Sequence, residues 1–268
     1  MPLGLLPISL LLGSGALVGI TLGLIGGGGS VLAVPLLVYF VGVPSTHVAI
    51  GSSAVAVAAS AAWGLATHAR LGTVKWPCAL VFTTAGVGGA FAGAALGKQL
   101  GGTELLALFG LVMIGIGLYM LITSPRPAKD DVRLTAESAR RLLPRLLLIG
   151  TGVGLLAGFF GIGGGFLIVP GLVLATGMGL QHAIGTSLFA VTAFGLATSA
   201  SYAASGFVDW RIALLVIAGG ALGTLLGTRV NAQFAGHTRA LAGLFATVVI
   251  SVGLYIVVSG IFKLTGAS

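Results

Sequence analysis

The chain has 268 residues, 57% of them hydrophobic and only 7% charged, with a mean hydropathy of +1.14. A soluble domain of this size carries about a quarter charged residues, so most of this surface cannot face water and the chain reads as an integral membrane protein whose standing partner is the lipid bilayer. The net charge of +8 would suggest nucleic-acid binding in a soluble protein, but six of the 13 basic residues crowd into one stretch and the rest scatter at segment ends, which is membrane anchoring and leaves no nucleic-acid partner.

Apolar runs lie near residues 4–25, 30–42, 48–68, 77–97 and 104–123. The first has no basic leader and is followed by more of the same, so it is read as a membrane helix rather than a secretory signal. Residues 124–145, SPRPAKDDVRLTAESARRLLPR, carry nine charges and three prolines and read as a charged cytoplasmic linker. Runs then resume near 146–160, 166–176, 184–204, 212–228 and 240–262, including again a short second one. The single cysteine, Cys78, has no second thiol for a disulfide or a metal, so neither a metal site nor a cofactor is expected.

The two halves repeat one another. GGGGSVLAVPLL from Gly26 parallels GIGGGFLIVPGL from Gly161, AIGSS from Ala49 parallels AIGTS from Ala183, and GTVKW from Gly72 parallels GFVDW from Gly206. Gly89 and Gly93 match Gly223 and Gly227, and Gly117 matches Gly253, all in order at an offset of 134 to 136 residues. Lipid leaves each long run no option but helix, since a barrel would need period-2 alternation. The fold expected is therefore an all-α integral membrane bundle of about eight to ten helices. Residues 1–123 form one repeat, 124–145 the linker and 146–268 the second repeat.

Four glycines in five positions cost about 1 kcal/mol each inside a helix relative to alanine, so the runs ending at Gly29 and Gly165 predict broken backbone at membrane depth. Each is followed by a short apolar helix whose first N–H groups lack intrahelical partners, which makes an anion site from Gly27, Gly28, Gly29 and Ser30 in one half and Gly163, Gly164, Gly165 and Phe166 in the other. A tight helix crossing without a ligand is the bland reading of the same glycines. Paired interrupted segments in corresponding positions favour a transporter's site. No Walker or dinucleotide motif is completed.

All five acids, Glu104, Asp130, Asp131, Glu137 and Asp209, fall at segment ends or in the linker, which leaves no carboxylate to hold a cation in the membrane. Ser52, Ser53, Thr186 and Ser187, paired between the halves, are candidate substrate contacts, although membrane hydroxyls often bond their own backbone. His47 and His182 are candidate gate or proton sites, with a headgroup position as the alternative. His68 with Arg70, and Lys75 with Trp76, read as helix-end anchors.

The doubled order of glycine cluster and proline (Gly26 to Pro35, Gly161 to Pro170), A-I-G-[ST]-S and G-x-V-x-W resembles the sulfite exporter TauE/SafE family over both repeats. The resemblance implies a bacterial inner-membrane carrier of sulfur-containing anions such as sulfite, sulfoacetate or other organosulfonates. Ile162 interrupts the second cluster, so the two halves of a site are not chemically identical.

The function expected is thus secondary transport of a small oxyanion by alternating access about a site shared by the two runs, with no enzymatic activity. An anion channel is the alternative. An intramembrane hydrolase using Ser52 or Ser53 with His68 is disfavoured because no G-x-S-x-G elbow appears. Proton or sodium coupling and homo-oligomer formation are left open. With the linker cytoplasmic, 10 basic residues lie inside and 3 outside whether the repeats are parallel or inverted. Inverted repeats are favoured because residues 4–25 already span while 30–42 are too short.

Overall fold

A computed structural model describes residues 5–25, 30–122, 136–161, 165–233 and 238–265. It is an all-α bundle. The first half contributes α1 (Leu5–Ile25), the short α2 (Ser30–Phe40), α3 (Thr46–Arg70), α4 (Trp76–Gly97) and α5 (Gly102–Ile122). The second contributes α6 (Ala136–Phe160), α7 (Gly165–Thr176), α8 (Leu180–Ala204), α9 (Trp210–Gln233) and α10 (Thr238–Thr265). Among the described residues, seven helices are long and apolar enough to cross a membrane. Residues 136–145 of the expected linker are already the first turns of α6, because Pro144 alone interrupts an otherwise helix-forming stretch.

The second helix of each half is short. At about 1.5 Å per residue, the 12 residues of α7 cover roughly 18 Å, little more than half of a hydrocarbon core of about 30 Å. The two are not copies in detail: α2 opens as a 3-10 turn and closes in a π-helical turn at Leu36–Phe40, whereas α7 is regular α-helix.

The packing interlocks the halves. Helix α1 packs along α9 and α6 along α4, each crossing from its own half into the other. Glycines on both members of each pair permit this. An added Cβ at Gly15, Gly19 or Gly23 would collide with the α9 backbone at Val216, Gly220 or Thr224, and one at Gly89 or Gly93 with the α6 backbone at Thr151 or Leu155. With no hydrophobic drive between helices in lipid, such backbone approach supplies the attraction. The rising order of partners also shows that α1 and α9 run parallel, as do α4 and α6.

The remaining two pairs run the other way. Gly51 on α3 meets Tyr202 and Phe207, Gly195 meets Ala54 and Ala58, and Gly64 meets Leu188, so α3 and α8 are antiparallel. Gly110 meets Gly253 and Val257 while Gly117 meets Ala246 and Ile250, so α5 and α10 are antiparallel. Both are pairs of corresponding helices from the two halves. Helices α3 and α8 are the most buried of the spanning helices and form the centre, with Ser60 against Gly220 and Phe82 stacked on Phe194 at 6.3 Å near mid-depth.

Two ends of the bundle can now be distinguished. The linker end holds the C-terminus of α3, the N-terminus of α4 and the N-terminus of α8. The far end holds the N-terminus of α3, the C-termini of α6 and α8 and the N-terminus of α9. Trp76 and Trp210, which correspond in the repeat, are exposed at opposite ends, as interfacial tryptophans are.

Candidate functional site

The matched motifs of the two halves meet at the ends of α3 and α8. At the far end Ser52 Oγ accepts the backbone N–H of Asp209 at 2.9 Å. At the linker end Thr186 Oγ1 accepts the backbone N–H of Lys75 at 3.0 Å. Ser52 and Thr186 are 134 residues apart, and so are Lys75 and Asp209, so each half uses its A-I-G-[ST]-S hydroxyl to hold the other half's G-x-V-x-W loop. The preceding glycines serve the same joints. A side chain at Gly51 would strike the Phe207 carbonyl, and one at Gly185 would strike Thr73 Oγ1 and the His68 ring.

Ser53 and Ser187 donate to the carbonyls one turn back, Ile50 at 3.0 Å and Ile184 at 2.7 Å, as buried helical hydroxyls do. All four hydroxyl residues are buried.

The surroundings of the two joints differ. At the linker end, Thr73 Oγ1 donates to the His68 carbonyl at 3.1 Å and lies 2.9 Å from His68 Nδ1. His182 Nδ1 is 3.0 Å from the Thr73 carbonyl, an oxygen that can only accept, so His182 carries its proton on Nδ1. His68, expected as a helix-end anchor, is instead buried in this cluster, 5% exposed.

At the far end, the His47 ring lies 5.3 Å from Phe207 and 6.2 Å from Tyr202. The Asp209 carboxylate accepts from the N–H groups of Arg211 at 2.9 Å and Ile212 at 3.3 Å, closing the first turn of α9. Lys98 Nζ donates to the Ser201 carbonyl and hydroxyl at 3.0 Å and to Ser205 Oγ at 2.9 Å, where the last carbonyls of α8 and its negative dipole end favour a cation. Lys98, Thr73 and Tyr202 were not singled out from sequence. Comparing the halves position by position is the signal that finds them, since they correspond to Ala232, Phe207 and His68.

Of the glycine-run positions, Gly27, Gly28, Gly29, Gly163 and Gly164 lie outside the described residues. Ser30, Gly165 and Phe166 are buried, with Phe166 packed on Phe109 at 6.1 Å. The borders of the two runs sit on opposite sides of mid-depth: Gly23 lies against Thr224 and Thr228, toward the linker end, and Gly161 against Ile50, toward the far end. Measured from Ser60 and Gly220 along the helices, that is a separation of about 20 Å. The described flanks of the two runs therefore lie toward opposite ends of the bundle.

Among the described residues no three His, Cys, Asp or Glu side chains converge as a metal site.

The family described as sulfite exporter TauE/SafE matches residues 11–256. The chain is 46% identical over 249 residues to a probable membrane transporter protein of Xylella fastidiosa strain 9a5c, covering 92% of this chain and 93% of the relative. It is 29% identical over 266 residues to the probable membrane transporter protein YunE of Bacillus subtilis, covering 93% and 97%, and 26% identical over 241 residues to a probable membrane transporter protein of Methanocaldococcus jannaschii, covering 85% and 87%. No solved structure matches. The apolar all-α bundle and the family match over nearly its whole length agree, and the chain belongs to the TauE/SafE sulfite exporter family as a multi-pass membrane transporter of the bacterial inner membrane.

Proposed function

We propose that the protein is a secondary carrier of a small sulfur-containing oxyanion, such as sulfite or an organosulfonate, working by alternating access between two inverted repeats. The observation that carries this reading is the reciprocal pair of joints, Ser52 to Asp209 at one end and Thr186 to Lys75 at the other. Equivalent helices that run antiparallel, with equivalent contacts at opposite ends, are what two exchangeable states require: the closed far end of one state becomes the geometry of the closed linker end in the other.

Chemistry supports an anion. Glu104 stands in the first turn of α5 and Asp209 at the start of α9, so among the described residues no carboxylate lies within the bundle centre. Amide groups at Gly27 to Ser30 and at Gly163 to Phe166 are the proposed oxyanion donors of the two half-sites. Ser52 and Thr186 act as joints between the halves that also border these sites, and His182 with His68 is the proposed proton-accepting pair at the linker end.

With inverted repeats, Arg70, Lys75, Arg229 and Arg239 share a side with the six basic residues of the linker region, against Lys98, Arg211 and Lys263 on the other, which supports a cytoplasmic linker.

The test is counterflow in proteoliposomes. Vesicles loaded with excess unlabelled sulfite should transiently accumulate external labelled sulfite against its gradient. Flux without such trans-stimulation overturns the carrier and leaves a channel.

A further inference from the structure

Three polar groups near the far end have no hydrogen-bond partner among the described residues: His47 Nδ1, Thr198 Oγ1 and Tyr202 OH. Thr198 and Tyr202 are both fully buried, at 0% exposure, and one turn apart on the same face of α8. The His47 ring reaches toward Tyr202 from the first turn of α3. Threonines in membrane helices normally donate one turn back, as Thr176, Thr192 and Thr224 do here; Thr198 does not.

The repeat identifies what is special. Tyr202 corresponds to His68 and Phe207 to Thr73. At the linker end these two positions satisfy each other, imidazole to hydroxyl. At the far end the phenyl ring of Phe207 offers no acceptor in the plane of a hydrogen bond, and the phenol is left with a proton to give. Buried donors without acceptors are costly and rarely kept without use.

The charges around them are mostly positive. Lys98 Nζ lies 5.8 Å from the centre of the Tyr202 ring. A groove of about 480 Å3, lined by Val48, Gly206, Val208, Asp209, Trp210 and Arg211, opens at the same end of the bundle. The one acid there, Asp209, has its Oδ1 committed to the N–H groups of Arg211 and Ile212. The N-terminus of the 25-residue α3 points its positive dipole end the same way.

We propose that His47, Thr198 and Tyr202 form an oxyanion-binding site at the far end of the bundle, approached past Arg211 and biased toward anions by Lys98. Its guest is a compact sulfur oxyanion, whose several acceptor oxygens take up three donors from two helices of opposite repeats. The linker end has no counterpart, so the anion rests unequally between the two half-sites. This site gives the far half-site its side-chain donors; its role in flux rests on the transport reading, its existence does not.

The test uses the purified full chain, titrated calorimetrically with sodium sulfite and with sodium methanesulfonate at constant ionic strength set by chloride. The wild-type protein is expected to bind at least one of them. Tyr202→Phe, which removes only the unpartnered hydroxyl, should weaken that binding about tenfold or more while the unfolding midpoint without anion stays unchanged or rises. Thr198→Val should act in the same direction and carries the test if Tyr202→Phe does not fold. Wild-type affinity in both variants, as expected if water alone meets these donors, overturns the site, and so does a wild-type protein that binds neither anion. Binding that depends on Tyr202 without flux in proteoliposomes would sink the transport reading and leave the site standing. Flux that survives both substitutions with unchanged affinity would do the reverse.

Discussion

Ser52 Oγ and the backbone N–H of Asp209, 157 residues apart, meet at 2.9 Å and join a helix of one repeat to a loop of the other. The joint is repeated, ends exchanged, by Thr186 and Lys75.

Removing either hydroxyl leaves a part-buried N–H unpaired. Ser52→Ala and Thr186→Val should each lower stability by about 1–3 kcal/mol, and Thr186→Ser, which keeps the oxygen, by much less. Because the two joints lie at opposite ends, the double variant should lose nearly the sum of the two. Unfolding in mixed micelles followed by denaturant titration measures this, and equal losses for Thr186→Ser and Thr186→Val would remove the hydrogen bond from the account.

Gly93 and Gly88 are five residues apart on α4 and should respond oppositely to alanine. A Cβ at Gly93 meets the backbone of Leu155 and Phe159 on α6, whereas at Gly88 nothing lies within 4 Å. Gly93→Ala should cost about 1–3 kcal/mol or abolish folding by forcing α4 and α6 apart. Gly88→Ala should be neutral or gain up to about 1 kcal/mol from helix propensity. Thermal unfolding of the two purified variants compares them directly.

Topology is accessible through cysteine labelling, since the native Cys78 is buried and should stay silent. Ser205 is exposed at the far end and Leu71, 65% exposed, at the linker end. With inverted repeats and a cytoplasmic linker, Ser205→Cys should react in intact cells with a membrane-impermeant maleimide and Leu71→Cys only after lysis. Labelling of Leu71→Cys alone in intact cells would reverse the orientation.

Asp209 should matter for α9 as a cap rather than as a charge. Its Oδ1 takes two N–H groups, so Asp209→Asn should retain most of the stability while Asp209→Ala loses about 0.5–2 kcal/mol. A loss in Asp209→Asn as large as in Asp209→Ala would show that the charge, not the cap, is what counts.

The helices and the small second helix of each half were legible because hydropathy is a local property of the chain. Gly89 and Gly93 were readable as a packing face, but nothing local names α6 as their partner. The hydroxyls of Ser52 and Thr186 stood out by their pairing, yet their partners are backbone amides in the opposite half, which carry no side-chain signature. His68 looked like an anchor because Arg70 follows two residues later; its burial depends on Gly185 admitting the ring from α8. The described flanks of the glycine runs, Gly23 and Gly161, lie toward opposite ends, a consequence of chain direction that residue identity does not encode.

The exchange of α1 onto α9 and of α6 onto α4 bears on how such a chain arises and matures. Neither half can complete its own packing, so as helices leave the translocon the glycine-lined face of α4 waits for α6 and that of α1 waits for α9. A single-repeat ancestor would face the same demand and meet it only as an antiparallel pair, which means one gene product threading the bilayer in both directions. Duplication and fusion would then have frozen those two orientations into one polypeptide, and basic residues would be free to accumulate on one side of each copy.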